Sequence, residues 1–391
     1  MEHVVRLLAL IAACLLAGGC ASLPEEPPPT SWTPQRQLTP QAGPKPELPG
    51  EFTPSPGQRQ PGQTPQSVPP PQGCKDFNPL VIATCLDPVS GVAMIGPDSQ
   101  GSVTAYATER TTGRLLKVAK NVDPVVVATI PVDASSDGGL TSIALSATFA
   151  EDQLVYLYVT TPTDNRVVRL APGDAPKPIL TGIPRGATGN RGVLASDRKG
   201  ALLVATGDAG NPALAADPNS LAGKVLRIDG AGQPAKGNPT ATSAVIAAGL
   251  RLPGGLCVSA DTTKIWVTDW TDRADVLYRV DPGKPLGNAA WSWPDKPGIL
   301  GCASLSDVLW TTMSKTPGTQ ALPMAPDGSF VGKPKVSMQE DGFGLIGPME
   351  MLNDQAALVG TVNKTSGKTV SSDDRVAIVT RPDNGGNPGK D

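Results

Sequence analysis

Val155-Tyr156-Leu157-Tyr158-Val159-Thr160, a polar turn, and then Val167-Val168-Arg169-Leu170 is the stretch on which the fold turns. A β-branched and aromatic run ends in threonine, and a short apolar run with one basic residue follows. The same phrase recurs as Val103 to Thr108 with Leu115-Leu116-Lys117-Val118, as Leu202 to Thr206 with Val225-Leu226-Arg227-Ile228, and as Ile265 to Thr268 with Leu277-Tyr278-Arg279-Val280. Its basic residues, 117, 169, 227 and 279, are spaced by 52, 58 and 52 positions. Two weaker copies follow, Leu309 to Thr312 with Ala321 to Met324, and Ala357 to Thr361 with Arg375 to Val379. A glycine-led apolar segment precedes each copy, at Gly91, Gly139, Gly192, Gly255, Gly301 and Gly347.

Six units over residues 74–391 give about 53 residues each, the size of a four-stranded blade with its loops. Alternation and β-branched enrichment predict strands, glycine and proline mark the turns, and no segment carries a helical period. The expected fold is all-β, a six-bladed β-propeller, although a β-sandwich or another all-β repeat has the same alternation. Leu80-Val81-Ile82-Ala83 is positioned to supply a strand that closes the ring against the last blade.

Composition narrows the classes further. The 391 residues include 43 glycines and 42 prolines, which a helical bundle or coiled coil cannot hold. Net charge is −3 with 18% charged residues, so there is no basic excess for phosphate contacts and nucleic acid is excluded as a partner.

The N-terminal part obeys different rules. Leu7 to Ala17 is apolar, too short to span a bilayer, and Leu16-Ala17-Gly18-Gly19-Cys20 ends it with small residues before a cysteine. This resembles a bacterial lipobox, which implies a signal peptide over 1–19 and a lipidated Cys20; Ile11-Ala12-Ala13-Cys14 fits less well, and an ordinary secretory signal is the alternative. Residues 21–73 hold 16 of the 42 prolines and eight glutamines. Such a stretch cannot bury enough apolar surface to order itself and reads, from the lipidated cysteine through residue 73 (20–73), as a disordered, partly polyproline-II tether. The expected placement is outside the cytoplasm, anchored to the membrane of a bacterial envelope, with a propeller over 74–391. Four further cysteines, Cys74, Cys85, Cys257 and Cys302, suit disulfides in an exported chain. Of three possible pairings, Cys74 with Cys85 and Cys257 with Cys302 is expected, because the first closes a short loop at the domain start. A metal site at these spacings, without a usable histidine, is disfavoured.

Gly138-Gly139-Leu140-Thr141-Ser142-Ile143, Thr206-Gly207-Asp208-Ala209-Gly210-Asn211, Asn219-Ser220-Leu221-Ala222-Gly223-Lys224-Val225-Leu226-Arg227-Ile228, Gly249-Leu250-Arg251 and Trp291-Ser292-Trp293-Pro294 occur in that order. Over residues 90–295 the chain thereby resembles the soluble glucose/sorbosone dehydrogenases, six-bladed propellers that use pyrroloquinoline quinone (PQQ) and calcium; with its leader and tether it resembles mycobacterial lipoproteins. The resemblance implies a base histidine that opens the phrase His-x-Gly-Gly-Arg-Leu. Laying Leu194 on that Leu and Asp208 on the Asp of Thr-x-Gly-Asp puts Gly189 in the histidine slot, and the chain's one histidine is His3, in the leader. A general base must reach its proton, and glycine has no side chain with which to do so.

Asp208 stands where the family has the Asp supporting the base, Arg251 where it has the Arg that stabilises reduced quinone, and Asp137 where Gln or Glu is common. The turn whose backbone oxygens help hold calcium reads Asp269-Trp270-Thr271-Asp272, which leaves calcium, and with it PQQ, without its usual support. Two functions follow as expectations: a degenerate, non-catalytic propeller that binds a small-molecule or protein ligand at its channel mouth, or an active PQQ- and calcium-dependent sugar or aldose dehydrogenase with Asp208 or Asp137 as base. Asn190, Arg191, Asp208, Arg251, Trp270 and Arg273 are the candidate ligand-binding residues. Trp270, Trp291 and Trp293 suit either sugar stacking or packing between blades. Asp208 suits a turn cap equally well. Lys224 and Arg227 are expected as solvated or ladder charges, and Asp269, Asp272 and Asp275 with Arg273 as a solvated loop or a cation site.

Overall fold

The computed structural model describes residues 68–97, 102–338 and 342–381. The leader, Cys20 and the tether through residue 67 lie outside them. Among the described residues, 24 strands form six four-stranded antiparallel sheets.

The first blade holds β2 (Val89–Pro97), β3 (Val103–Glu109), β4 (Arg114–Ala119) and β5 (Val122–Thr129). The second holds β6 (Leu140–Leu145), β7 (Val155–Thr160), β8 (Asn165–Leu170) and β9 (Lys177–Ile183); the third β10 (Gly192–Ser196), β11 (Leu202–Thr206), β12 (Lys224–Ile228) and β13 (Val245–Ala248). In the fourth are β14 (Pro253–Val258), β15 (Ile265–Trp270), β16 (Asp275–Val280) and β17 (Trp291–Trp293), and in the fifth β18 (Ile299–Ser304), β19 (Val308–Met313), β20 (Thr319–Pro323) and β21 (Lys335–Ser337). The sixth is a composite. β22 (Ile346–Asn353), β23 (Ala356–Thr361) and β24 (Val376–Thr380) are completed by β1 (Val81–Ala83), which pairs with β24 as expected.

The repeated phrase therefore maps onto the second and third strands of each blade, and the glycine-led segment onto the first. Second strands are mostly buried, and β7, β11 and β19 are buried along their whole length, because both of their faces pack against neighbouring blades. Six apolar clusters result, one at each blade junction. The first strands converge on the axis, where a side chain too many would collide. A Cβ on Gly192 would lie 2.2 Å from the Tyr158 ring, and one on Gly301 2.7 Å from the Met349 Cβ.

Both disulfides form as expected, Cys74 with Cys85 and Cys257 with Cys302. The second joins the first strands of blades four and five. Ring closure is reinforced where Arg375, almost wholly buried, pairs with Asp76 at 3.1 Å and Asp373 at 2.9 Å. No helix among the described residues is long and apolar enough to cross a membrane.

Candidate functional site

The entry to each first strand lines one end of the axial channel. The cavity there has a volume of about 280 Å³, and its wall contains three cations, Arg110, Arg191 and Lys315, beside Trp270, with no carboxylate among its lining residues. The Arg191 guanidinium lies 4.5 Å from the Trp270 ring centroid and the Lys315 ammonium 4.3 Å from it, both within cation–π range. Trp270 is fixed by its indole N–H, which donates to the Ile299 carbonyl at 2.6 Å. Arg191 is partly buried at this cavity, with its Nη1 shut off from solvent. Burial pulls its guanidinium down to about 10, with Asp137 opposing that shift and Arg110 adding to it. It stays charged at neutral pH, and its Nη1 has no hydrogen-bond partner. A buried donor left unpaired costs free energy unless something outside the chain satisfies it.

The loops that hold Arg191 are tied down by the neighbouring candidates. Asp137 accepts from the backbone N–H groups of Gly189 and Asn190, both at 3.1 Å. Asn190 is fully buried and spends its amide on the loop, donating to the Gly186 carbonyl at 2.9 Å and Ser136 Oγ at 3.0 Å and accepting from Gly186 N–H at 2.9 Å. Arg110 donates from Nη1 to the carbonyls of Ser136 and Gly138, each at 2.9 Å. Asp208 is buried, accepts from Gly210 N–H at 2.8 Å and pairs with Arg251 at 2.5 Å. Neither Asp208 nor Arg251 lines the cavity, and both carboxylates proposed as alternative bases, Asp137 and Asp208, are already engaged.

Of the six candidate ligand residues, then, the fold brings Arg191 and Trp270 to the mouth, sets Asp208 and Arg251 beside it as an ion pair, and uses Asn190 as a loop pin. Arg273 is exposed at the turn between β15 and β16 and does not line the cavity. Arg110 and Lys315 were missed, since neither belongs to a repeated phrase or to a family motif. Trp293 is core, its indole donating to Gln320, and Trp291 packs edge-on to Phe330.

Two expectations about charge are corrected. Lys224 is neither solvated nor a ladder charge: it is buried, and its ammonium donates to the carbonyls of Leu214, Ala215 and Ala222 at 2.8 to 2.9 Å. Arg227 does pair on the sheet, with Asp197. The acidic trio is not a solvated loop, because two members are buried. Asp269 accepts from the N–H groups of Arg251 and Leu252, and burial pushes it up to about 7; Asp275 accepts from those of Gly298 and Ile299. Only Asp272 is exposed, and no group of three or more potential metal-ligating His, Cys, Asp or Glu occurs among the described residues.

The model of the family described as glucose/sorbosone dehydrogenase matches residues 97–296, half of the chain. The chain belongs to this family. Aldose sugar dehydrogenase YliI of Escherichia coli K12 is 26% identical over 179 residues, 41% of this chain and 48% of that protein, so the match spans about half the length of this relative. Among solved structures, the PQQ-bound aldose sugar dehydrogenase of Streptomyces coelicolor superposes with a TM-score of 0.69 at 24% identity, covering 81% of this chain and 100% of that one. An oxidoreductase of Thermus thermophilus described as a glucose dehydrogenase gives 0.67 at 25% identity, covering 76% and 98%.

Whether this chain's residues suit the family's chemistry is decided at Gly189. Its φ is +72°, and a Cβ there would lie 2.5 Å from Gly210 N and 2.7 Å from Asp208 Oδ1. The histidine slot is thus closed by backbone as well as lacking a side chain. A cationic mouth suits the carboxylates of PQQ as it suits other anions, and none of the residues lining it is a carboxylate.

Proposed function

We propose that this protein is a non-catalytic member of its family, a cell-envelope lipoprotein whose propeller binds a small anionic molecule at the mouth lined by Arg110, Arg191 and Lys315. One observation carries the reading: a partly buried arginine with an unpaired Nη1 donor lines a cavity that has three cations and no acid in its wall. The residue that would make the site a dehydrogenase is replaced by a glycine in a closed loop. Anchoring at Cys20 and a proline-rich spacer, which at about 3.1 Å per residue reaches on the order of 160 Å, would hold the propeller clear of the membrane. The lipobox-like leader and the two disulfides support that placement.

An active PQQ- and calcium-dependent dehydrogenase is the second reading, favoured by the retained Asp208–Arg251 pair. Reconstitution separates the two. Purified protein is titrated with PQQ and calcium while cofactor absorbance and sugar-dependent dye reduction are followed. The binding reading expects no turnover, and an affinity for the anionic quinone that drops about tenfold or more in Arg191→Met. Sugar-dependent turnover would overturn it, and an affinity unchanged by Arg191→Met would remove the anion site.

A further inference from the structure

The six first strands line a second cavity further along the axis. Val92, Ile143, Leu194, Leu256, Cys302 and Met349, one residue from each first strand, border both cavities and form an apolar ring between them. The residues that follow them on the same strands wall a space of about 320 Å³. Its charge pattern differs from the mouth's, because an acid is present. Glu350 is the one carboxylate among its lining residues, and Arg198 is the one cation. Glu350 Oε2 accepts from Met94 N–H at 2.6 Å, and among the described residues no cation lies within ion-pair distance of this carboxylate. Ser304 Oγ, on the same wall, is buried without a partner.

We infer that this second cavity is a binding site for a short-chain primary ammonium ion, its cationic head on Glu350 and its alkyl tail against the apolar ring. A carboxylate held by a single backbone donor, beside an apolar ring and a few hydroxyls, is best complemented by a compact cation that brings several N–H donors. Ser304 Oγ offers such a cation a second acceptor. Burial pushes Glu350 up to about 7, against the opposing pull of the Met94 N–H and of Arg198, which lies on the same wall but beyond ion-pair distance, so an ammonium on Glu350 would supply the close counter-charge that Arg198 does not. A divalent metal fits poorly, because calcium needs six to eight oxygens and this wall provides one carboxylate. Nothing in this inference depends on what the opposite mouth binds.

Methionine methyl resonances offer a direct test, since Met349 and Met351 line this cavity while Met324 lies in the junction between blades four and five. The purified full-length chain, labelled at its methionine methyls, is titrated with n-butylammonium chloride into the millimolar range and, in parallel, with n-butanol. Saturable shifts of Met349 and Met351, with Met324 unmoved, are expected for the amine alone. Glu350→Gln keeps an acceptor for Met94 N–H and should weaken amine binding about tenfold or more. Absence of a saturable shift, equal binding of the alcohol, or an unchanged affinity in Glu350→Gln would each overturn the assignment. Should that variant lose the native Met324 resonance, the amine and alcohol titrations of the wild-type chain decide the matter alone.

Discussion

Gly189 shows what a single residue can exclude. Its left-handed φ and the 2.5 Å approach of Gly210 N leave no room for a Cβ, so a histidine restored here cannot sit as the family's base does. Gly189→His is expected to lose about 2 kcal/mol or more in urea denaturation and to show no dye reduction with PQQ, calcium and sugar. A variant of native stability that turned over sugar would contradict the geometry. The glycine in this slot was legible from the motif, but the closure of the loop around it was not, because it depends on Asp208 and Gly210 arriving from β11's far end. Asp269 teaches the same lesson in reverse. In the linear chain it sits among acidic neighbours, whereas in the fold it caps the backbone of Arg251 and Leu252 and is shut away from solvent.

At the level of elements, the second and third strands were readable because their pattern repeats. Burial on both faces forces near-continuous apolar sequence, and the recurring basic residue marks the third strand, as Lys117 does on β4 and Arg169 on β8. Lys224 opens β12 outside that repeat and has a different task. Its ammonium gathers three carbonyls of the segment between β11 and β12, the segment that carries Asp208. Lys224→Met would leave those acceptors buried and unpaired, so a loss of about 3 kcal/mol is expected in chemical denaturation. A near-neutral result would show that water reaches the carbonyls in its place.

On the scale of the whole molecule, the ring is stapled at two points of unequal weight. The Cys257–Cys302 bridge closes 45 residues and Cys74–Cys85 closes 11. Loop-closure entropy assigns about 4 kcal/mol to the first and about 3 kcal/mol to the second. Paired Cys→Ser variants, compared by denaturant midpoint, should keep that order, and a reversal would mean that sealing the chain start against β24 matters more than linking two blades. The sequence by itself determined the number of blades, the second and third strands of each and the loss of the family's base, since each is written in a repeat or in the identity of one position, whereas it left three disulfide pairings possible, and the fold decided among them. The tertiary structure alone decided the chemistry of the channel. Arg110, Arg191, Trp270 and Lys315 come from four different blades, and Glu350 from another, so no local pattern joins them; the first four meet at one end of the channel, and Glu350 lines the cavity beyond, because six first strands converge on one axis.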